Sequence, residues 1–491
     1  MNQIYVWIAL LSWITLATGV AYLARRGLGE GVTEYFIGGR RLGGFISGMT
    51  YSATTYSAFM LVGLVGLTYR SGVGALGFEM TYLIFTVLLL LVFAPRFWLV
   101  GKKYDILTPS ELMSKRYENR WAGVVSSIIF LGMLVPYAAV QLMGIGLLVE
   151  GLTGGSINYM SGVLVMAGFA GFSALWAGMR SVSWTDAFQA ITMLTTSLFA
   201  LFYLFFQFFG SPGNFFRTIT VENPELLKLT WDPKLFIGLA LPWAFFAITN
   251  PQVSQRMFVP DNLSSLKRMI IYFSAFGFVY TVISTLFGFQ AANLLPGLEN
   301  PDKAMPVLLT KIPVPLGLII LIGIFAAATS TLGSITLTLS SVVSRDLVRN
   351  LVPELKEETE LRFGKLAIPL LIGVFVIFAW IQPGLIAILS SMASGGLLVT
   401  APALIGAFFW KEASDAGAIS SMAAGGTVTA VMYVANIRPF GWWPSVWGFA
   451  ITLVLYISVS LVTLSPEKSD EFVDYVNREM EKLSSGGPEG S

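Results

Sequence analysis

The chain is 491 residues long, 55% hydrophobic and only 12% charged, against about 25% charge in a soluble domain, so a bilayer is its natural solvent. It holds no cysteine and no histidine, which excludes disulfides, thiolate or imidazole metal sites, Ser-His-Asp chemistry and histidine proton relays, and with them most enzymes. The net charge of +2 gives no reason to expect a nucleic-acid partner.

A helix needs about 20 apolar residues to cross roughly 30 Å of hydrocarbon. Laid along the chain, that length predicts an all-α membrane protein of thirteen spans, at 4–24, 42–69, 73–99, 121–149, 157–178, 184–209, 235–254, 269–293, 314–341, 366–381, 385–409, 416–437 and 441–464. The first segment is too long and too aromatic for a signal-peptide core and lacks a basic leader, so it is expected to persist as a helix. Lysine and arginine bias loops towards the cytoplasm. With the N-terminus outside and the C-terminus inside, only Arg70, Arg217, Lys228, Lys234, Lys303, Lys311 and Arg438 fall on the outer side. A miscounted span would scramble so lopsided a division, so the chain is expected to be a multi-pass protein of the cell membrane. Beyond Ser465 the tail is polar, with one short amphipathic surface helix expected and Gly486 to Ser491 expected to be disordered.

In lipid, a helix is interrupted only where protein or a water-filled cavity satisfies the freed backbone groups, so polar breaks locate sites. The second span contains Tyr51-Ser52-Ala53-Thr54-Thr55-Tyr56-Ser57, where nearly every side chain is a hydroxyl. Glu79 lies within the third span beside Phe78, and an intramembrane carboxylate is a functional hypothesis by default. Asp186, at the cytoplasmic end of the sixth span, has two open readings: an ion-exit or inner-gate residue, or a helix-start residue beside Thr185. The seventh span breaks at Thr249-Asn250-Pro251-Gln252, where proline removes a helix hydrogen bond. The ninth carries Ala326-Ala327-Ala328-Thr329-Ser330-Thr331-Leu332-Gly333-Ser334. For any one such run, close helix packing is the competing reading. Sodium, a hard cation, takes five or six oxygens, which hydroxyls and the carbonyls of an unwound helix can supply. Tyr51, Tyr56, Phe78, Trp243, Phe245 and Phe246 are candidate aromatic gates, and no core span is expected to carry an internal arginine or lysine.

Spans two to six and seven to eleven form two sets of five, each opening on a polar-interrupted helix. An odd number of spans per set inverts the second relative to the first, as expected of repeats around a midplane site. The divisions that follow are 1–41 for an extra helix and loop, 42–209 and 235–409 for the two repeats, 410–464 for two further helices and 465–491 for the tail.

At these residues the sequence resembles the sodium:solute symporter family. The likeness rests on Thr33-Glu34-Tyr35-Phe36-Ile37-Gly38-Gly39-Arg40, on Ser57 with Gly63, Gly66, Tyr69 and Gly72, and on Ser183-Trp184-Thr185-Asp186-Ala187-Phe188-Gln189. It continues through Ala327 with Ser330-Thr331-Leu332, and Ala401-Pro402 with Gly406 and Trp410. The resemblance implies a LeuT-like fold of five-plus-five inverted repeats. It also implies a sodium ion held by backbone oxygens of Ala53, Tyr56 and Ala327 and by the hydroxyls of Ser330 and Thr331. Ser52, Thr54, Thr55, Ser57, Phe78, Glu79 and Asp186 are then candidates for the solute site or its gates. Two positions depart from relatives: Thr55 stands where some members have an aspartate, and Gly333 stands where a hydroxyl would complete a second ion site that includes Asp186. The implied activity is sodium-coupled import of a small organic solute, an amino acid such as proline or a carboxylate such as pantothenate, with no covalent chemistry. Proton coupling on the same fold, or a sensor without transport, are the alternatives; against a sensor, the tail is too short for a signalling domain.

Overall fold

The computed structural model describes residues 1–25, 29, 31–352 and 354–485; the expectation for Gly486 to Ser491 lies outside these. Among the described residues the chain is helical throughout, its one strand-like contact being a bridge between Leu42 and Pro260. Among the described residues eleven helices are long and apolar enough to cross a membrane, which makes this a multi-pass membrane protein.

Local chemistry sets the ends of these helices. The Arg120–Thr153 helix starts where the Asn119 side chain accepts from the Trp121 N–H, and it stops at Gly154 in the left-handed conformation (φ 58°), the residue that adopts it without strain. Val73–Tyr104 is 32 residues long, about 48 Å at 1.5 Å per residue, and so stands well clear of the hydrocarbon. The expected fifth and sixth spans are joined more tightly than the sequence suggests. One helical run, Tyr159–Phe209, turns at Gly178 (φ 63°, ψ 175°), where a Cβ would sit 3.1 Å from the Tyr35 ring. Only glycine combines that backbone with that closeness. The tail helix is present as Ser469–Ser484; it buries Phe472, Val473 and Val476 and stacks Phe472 on Tyr104 at 5.4 Å.

The two remaining expected spans are broken segments. The second is Gly44–Thr55, then Tyr56 in extended conformation (φ −95°, ψ 103°), then a π-helical turn Phe59–Gly63 leading into Leu64–Ser71. The seventh is Pro233–Ala244 and Phe246–Thr249, then Asn250, also extended (φ −93°, ψ 107°), then Pro251–Ser254 and a 3-10 turn Gln255–Phe258. Both lie against Val314–Ser341, which is buried from Gly323 to Ser341 without interruption and then runs into a π-helical stretch, Val342–Val348. A membrane helix buried all round with that many hydroxyls is packed in protein rather than lipid, which puts the polar machinery at the molecule's axis.

Candidate functional site

The helix Gly44–Thr55 ends because Tyr56 leaves helical geometry, and that withholds the N–H groups which would otherwise take the last carbonyls. The Ala58 N–H, which a continuous helix would give to Thr54, donates instead to Gln141 Oε1 at 3.1 Å. The hydroxyls of the buried helix reach the freed carbonyls. Ser330 Oγ donates to Ala53 O at 2.8 Å and lies 3.0 Å from Ala327 O. Thr331 Oγ1 is 3.1 Å from Ala53 O and 3.3 Å from Thr54 O. Four of the five expected sodium-site residues thus share one cluster of neutral oxygens, and Tyr56 is the residue whose extended backbone frees the Ala53 and Thr54 carbonyls. Such a set has the hardness and neutrality that suit a monovalent alkali cation.

Beside this cluster lies a buried ionic group. Asp186 Oδ2 accepts from Thr50 Oγ1 at 2.7 Å and sits 3.6 Å from an Arg256 nitrogen. Arg256 also donates to Ser334 Oγ at 2.6 Å, and Ser334 Oγ is 3.0 Å from Thr54 Oγ1. Both charged side chains are sealed, Arg256 at 0% and Asp186 at 2% exposure. One of the two open readings of Asp186 falls here, and one expectation is corrected. Asp186 does not start a helix, since the run is helical from Gly178 onwards and Thr185 hydrogen-bonds back to Ser181. And the core does hold an internal arginine: the sequence places Arg256 in a cytoplasmic loop, but the broken seventh segment carries it inward on its 3-10 turn. A cavity of about 30 Å³, large enough for one water or ion, is lined by Asp186, Gln189, Thr329, Ser330 and Gly333.

Above the break, aromatic rings close around Trp243. Its indole lies 5.2 Å from Phe59, 6.0 Å from Phe78, 5.1 Å from Tyr82 and 5.1 Å from Phe246, and it donates to Ser391 Oγ at 3.0 Å. Phe245 faces away and packs on Phe449 at 5.5 Å. Tyr51 and Tyr56 pack on Phe273, at 4.9 and 5.7 Å.

Several polar atoms here are buried without a hydrogen bond: both oxygens of Glu79, both side-chain amides of Asn250 and Gln252, and the hydroxyls of Thr55 and Tyr82. An unpaired polar atom in an interior costs about 1–3 kcal/mol, more if charged, so a concentration of them marks where a polar ligand or water completes the site. The other candidates are spoken for. Ser52 Oγ bonds back to Gly48 O at 2.8 Å, and Ser57 Oγ accepts from the Phe59 N–H at 3.2 Å, which restarts the helix. Asn250 and Gln252 were legible only as a break; their amides become site groups because Asn250 is extended.

A profile of the sodium:solute symporter family matches residues 35–425. The chain is 26% identical to the sodium/pantothenate symporter of Escherichia coli over 472 residues, covering 93% of this chain and 96% of that one. It is also 26% identical to the sodium/proline symporter of Staphylococcus aureus over 487 residues, 94% and 93% of the two chains. Among solved structures, a substrate-bound, outward-open sodium-coupled sialic acid symporter superposes with a TM-score of 0.80 at 19% identity over 94% of this chain and 98% of that one. A nucleobase-cation-symport-1 family transporter in a closed conformation superposes at 0.58, 14% identical, over 91% and 98%. The profile match takes in both broken segments, the hydroxyl-bearing buried helix and the Asp186–Arg256 pair: this chain belongs to the sodium:solute symporter family.

Proposed function

We propose that the oxygens of Ala53, Tyr56, Ala327, Ser330 and Thr331 hold the sodium ion that drives solute into the cell. The observation that carries this reading is the meeting of the Ser330 and Thr331 hydroxyls with the carbonyls freed at the end of Gly44–Thr55. Sodium binding there ties the broken second segment to the buried ninth helix; sodium release loosens the same contact, which couples the ion to the closing of the outer route. The Asp186–Arg256 pair, held by Thr50 and Ser334, closes the inner route, and its opening lets ion and solute leave.

The solute sits between the two breaks, against Glu79, Thr55, Asn250 and Gln252, under the ring of Trp243. Of the two leading solutes, an amino acid such as proline suits a site with an unpaired carboxylate better than an anion such as pantothenate does, because its ammonium would neutralise Glu79. Thirteen spans, with the N-terminus outside and two inverted sets of five, are supported by the paired breaks: Tyr56 and Asn250 have nearly the same backbone angles at the head of each set. A second reading, proton coupling through Glu79, rests on the same unpaired carboxylate. Flux of radioactive sodium into vesicles holding the purified protein tests the proposal: L-proline or another amino acid should accelerate it, and Ser330→Ala should shift that acceleration to sodium concentrations at least tenfold higher. Sodium flux indifferent to every amino acid and carboxylate offered would reject it.

A further inference from the structure

Where the helix Gln3–Arg25 ends, a cavity of about 600 Å³ opens beside it, lined by Arg25, Gly31, Tyr35, Glu357, Leu361 and Lys365 among others. Neither the sodium cluster nor the solute site uses these residues. We propose that the cavity holds the headgroup of an anionic phospholipid, with Arg25 and Lys365 on its phosphate.

Both cations are exposed, and neither makes an ion pair among the described residues. Each is held instead over a ring: the Arg25 guanidinium lies 5.1 Å from the centre of the Trp176 ring, and Lys365 Nζ lies 5.1 Å from the centre of the Tyr35 ring. Such a contact orients the cation and leaves N–H groups for phosphate oxygens. The acids of the cavity are engaged. Glu358 pairs with Arg362 at 2.6 Å, and Glu357 Oε1 accepts the Val32 N–H at 2.8 Å. Among the described residues this leaves two cations, Arg25 and Lys365, against one carboxylate without an ion pair, Glu357. The excess is one positive charge, which the single negative charge of a phosphatidylglycerol balances.

The floor of the cavity is fixed. Tyr35 is buried, and its hydroxyl donates to Ala174 O at 2.8 Å. Gly31 has a φ of 105°, and a Cβ there would lie 2.8 Å from Glu357 Oε1. Only glycine combines that backbone with that closeness, so the short helix Val32–Ile37 stays latched to Glu357–Ile381.

The depth is that of a headgroup. Gln3–Arg25 has 23 residues, about 35 Å at 1.5 Å per residue, which crosses about 30 Å of hydrocarbon and delivers Arg25 just beyond it. Lys365 stands sixteen residues before the far end of its helix at Ile381, about 24 Å. It therefore sits at the edge of the hydrocarbon, where a lysine lays its stem along apolar surface and its ammonium reaches the headgroups. On the same helices and the adjoining one, Leu23, Phe172, Leu366 and Leu370 are exposed, an apolar wall for acyl chains. That wall favours a lipid over a soluble phosphate.

The test is native mass spectrometry of the full chain in detergent, titrated with dioleoyl phosphatidylglycerol, dioleoyl phosphatidylcholine or glycerol 1-phosphate. One phosphatidylglycerol should be retained at least fivefold more tightly than phosphatidylcholine. Arg25→Gln and Lys365→Gln should each remove most of that preference, and Arg25→Lys should keep part of it. Lys311→Gln, which removes an exposed charge elsewhere, should leave it unchanged. Melting temperatures in phosphatidylcholine equal to that of the unaltered chain show that the variants are folded. No preference for phosphatidylglycerol, or a preference that falls as far in Lys311→Gln as in Arg25→Gln, overturns the site. Displacement of the lipid by an equal concentration of glycerol 1-phosphate overturns the lipid as occupant and makes this a site for a soluble anion.

Discussion

Removing either partner of the Asp186–Arg256 pair should cost far more than removing both. The nitrogen and oxygen are 3.6 Å apart and both side chains are sealed from solvent. At an effective dielectric of about 20 two unit charges at that distance attract by roughly 4–5 kcal/mol. Arg256→Gln leaves a buried carboxylate held only by the hydroxyls of Thr50 and Ser334, and an uncompensated buried charge costs about 3–5 kcal/mol. Asp186→Asn leaves the converse. The double variant keeps similar volumes and hydrogen-bonding groups with no net charge, so the thermal stability lost in each single variant should largely return. The coupling energy from the cycle of four proteins in detergent should be about 2–4 kcal/mol. Values for the single variants that add within about 0.5 kcal/mol would mean the pair does not interact, and the inner gate would be wrong. Turnover adds a second readout: with the inner route unlatched, Asp186→Asn should slow sodium-driven uptake without changing the ranking of competing solutes.

Three further outcomes follow from other residues. Ser330→Ala and Thr331→Ala should each raise the sodium concentration for half-maximal uptake at least tenfold at unchanged protein abundance, and an unaltered sodium dependence in the double variant would reject the site. Gly333 lines the cavity beside Asp186, and a Cβ there meets nothing within 4 Å; Gly333→Ser should therefore fold normally and raise the sodium Hill coefficient from near one towards two, whereas a coefficient of two in the unaltered protein would remove the reason for calling the second site incomplete. In the turn Pro301–Lys303, burial pushes the Asp302 carboxyl from its ordinary value up to about 6. A raised carboxyl binds its proton more readily in the native state than in the unfolded chain, so its contribution is full below about pH 4 and is lost as pH rises through 6. Asp302→Asn should flatten the thermal stability profile between pH 4 and pH 6; an unchanged slope would show that another group sets it.

How much the sequence revealed depended on whether a feature was local. Each continuous span needs only a run of apolar residues, and the hydroxyl-rich stretches around Thr54 and Ser330 stand out because such runs are expensive in lipid. The sodium cluster was placed from these runs together with the family resemblance. Arg256 was missed because its depth is a consequence of the Asn250 break: two short turns carry the chain sideways and hold the guanidinium inside, where a regular helix ending at 254 would have delivered it to the surface. The same displacement supplies Asp186 with an ion-pair partner that was not expected there, while the helix-start reading, one of two left open, falls because the helix already runs from the Gly178 joint. The joint at Gly178 was missed for a simpler reason, that a loop and a single left-handed glycine look alike when Arg180 and Ser183 follow. The unpaired amides of Asn250 and Gln252 depend on backbone angles that no residue pattern encodes.

Sodium rather than the proton should drive transport, because the proposed ion site is built from neutral oxygens. The deciding experiment is uptake of amino acid into vesicles under an imposed sodium gradient or an imposed pH gradient, each with the membrane potential clamped, in the unaltered protein and in Glu79→Gln. Hydroxyls and carbonyls do not titrate near neutral pH, so the sodium gradient alone should drive accumulation and the pH gradient alone should not. Accumulation driven by the pH gradient, abolished by Glu79→Gln and indifferent to sodium, would contradict it.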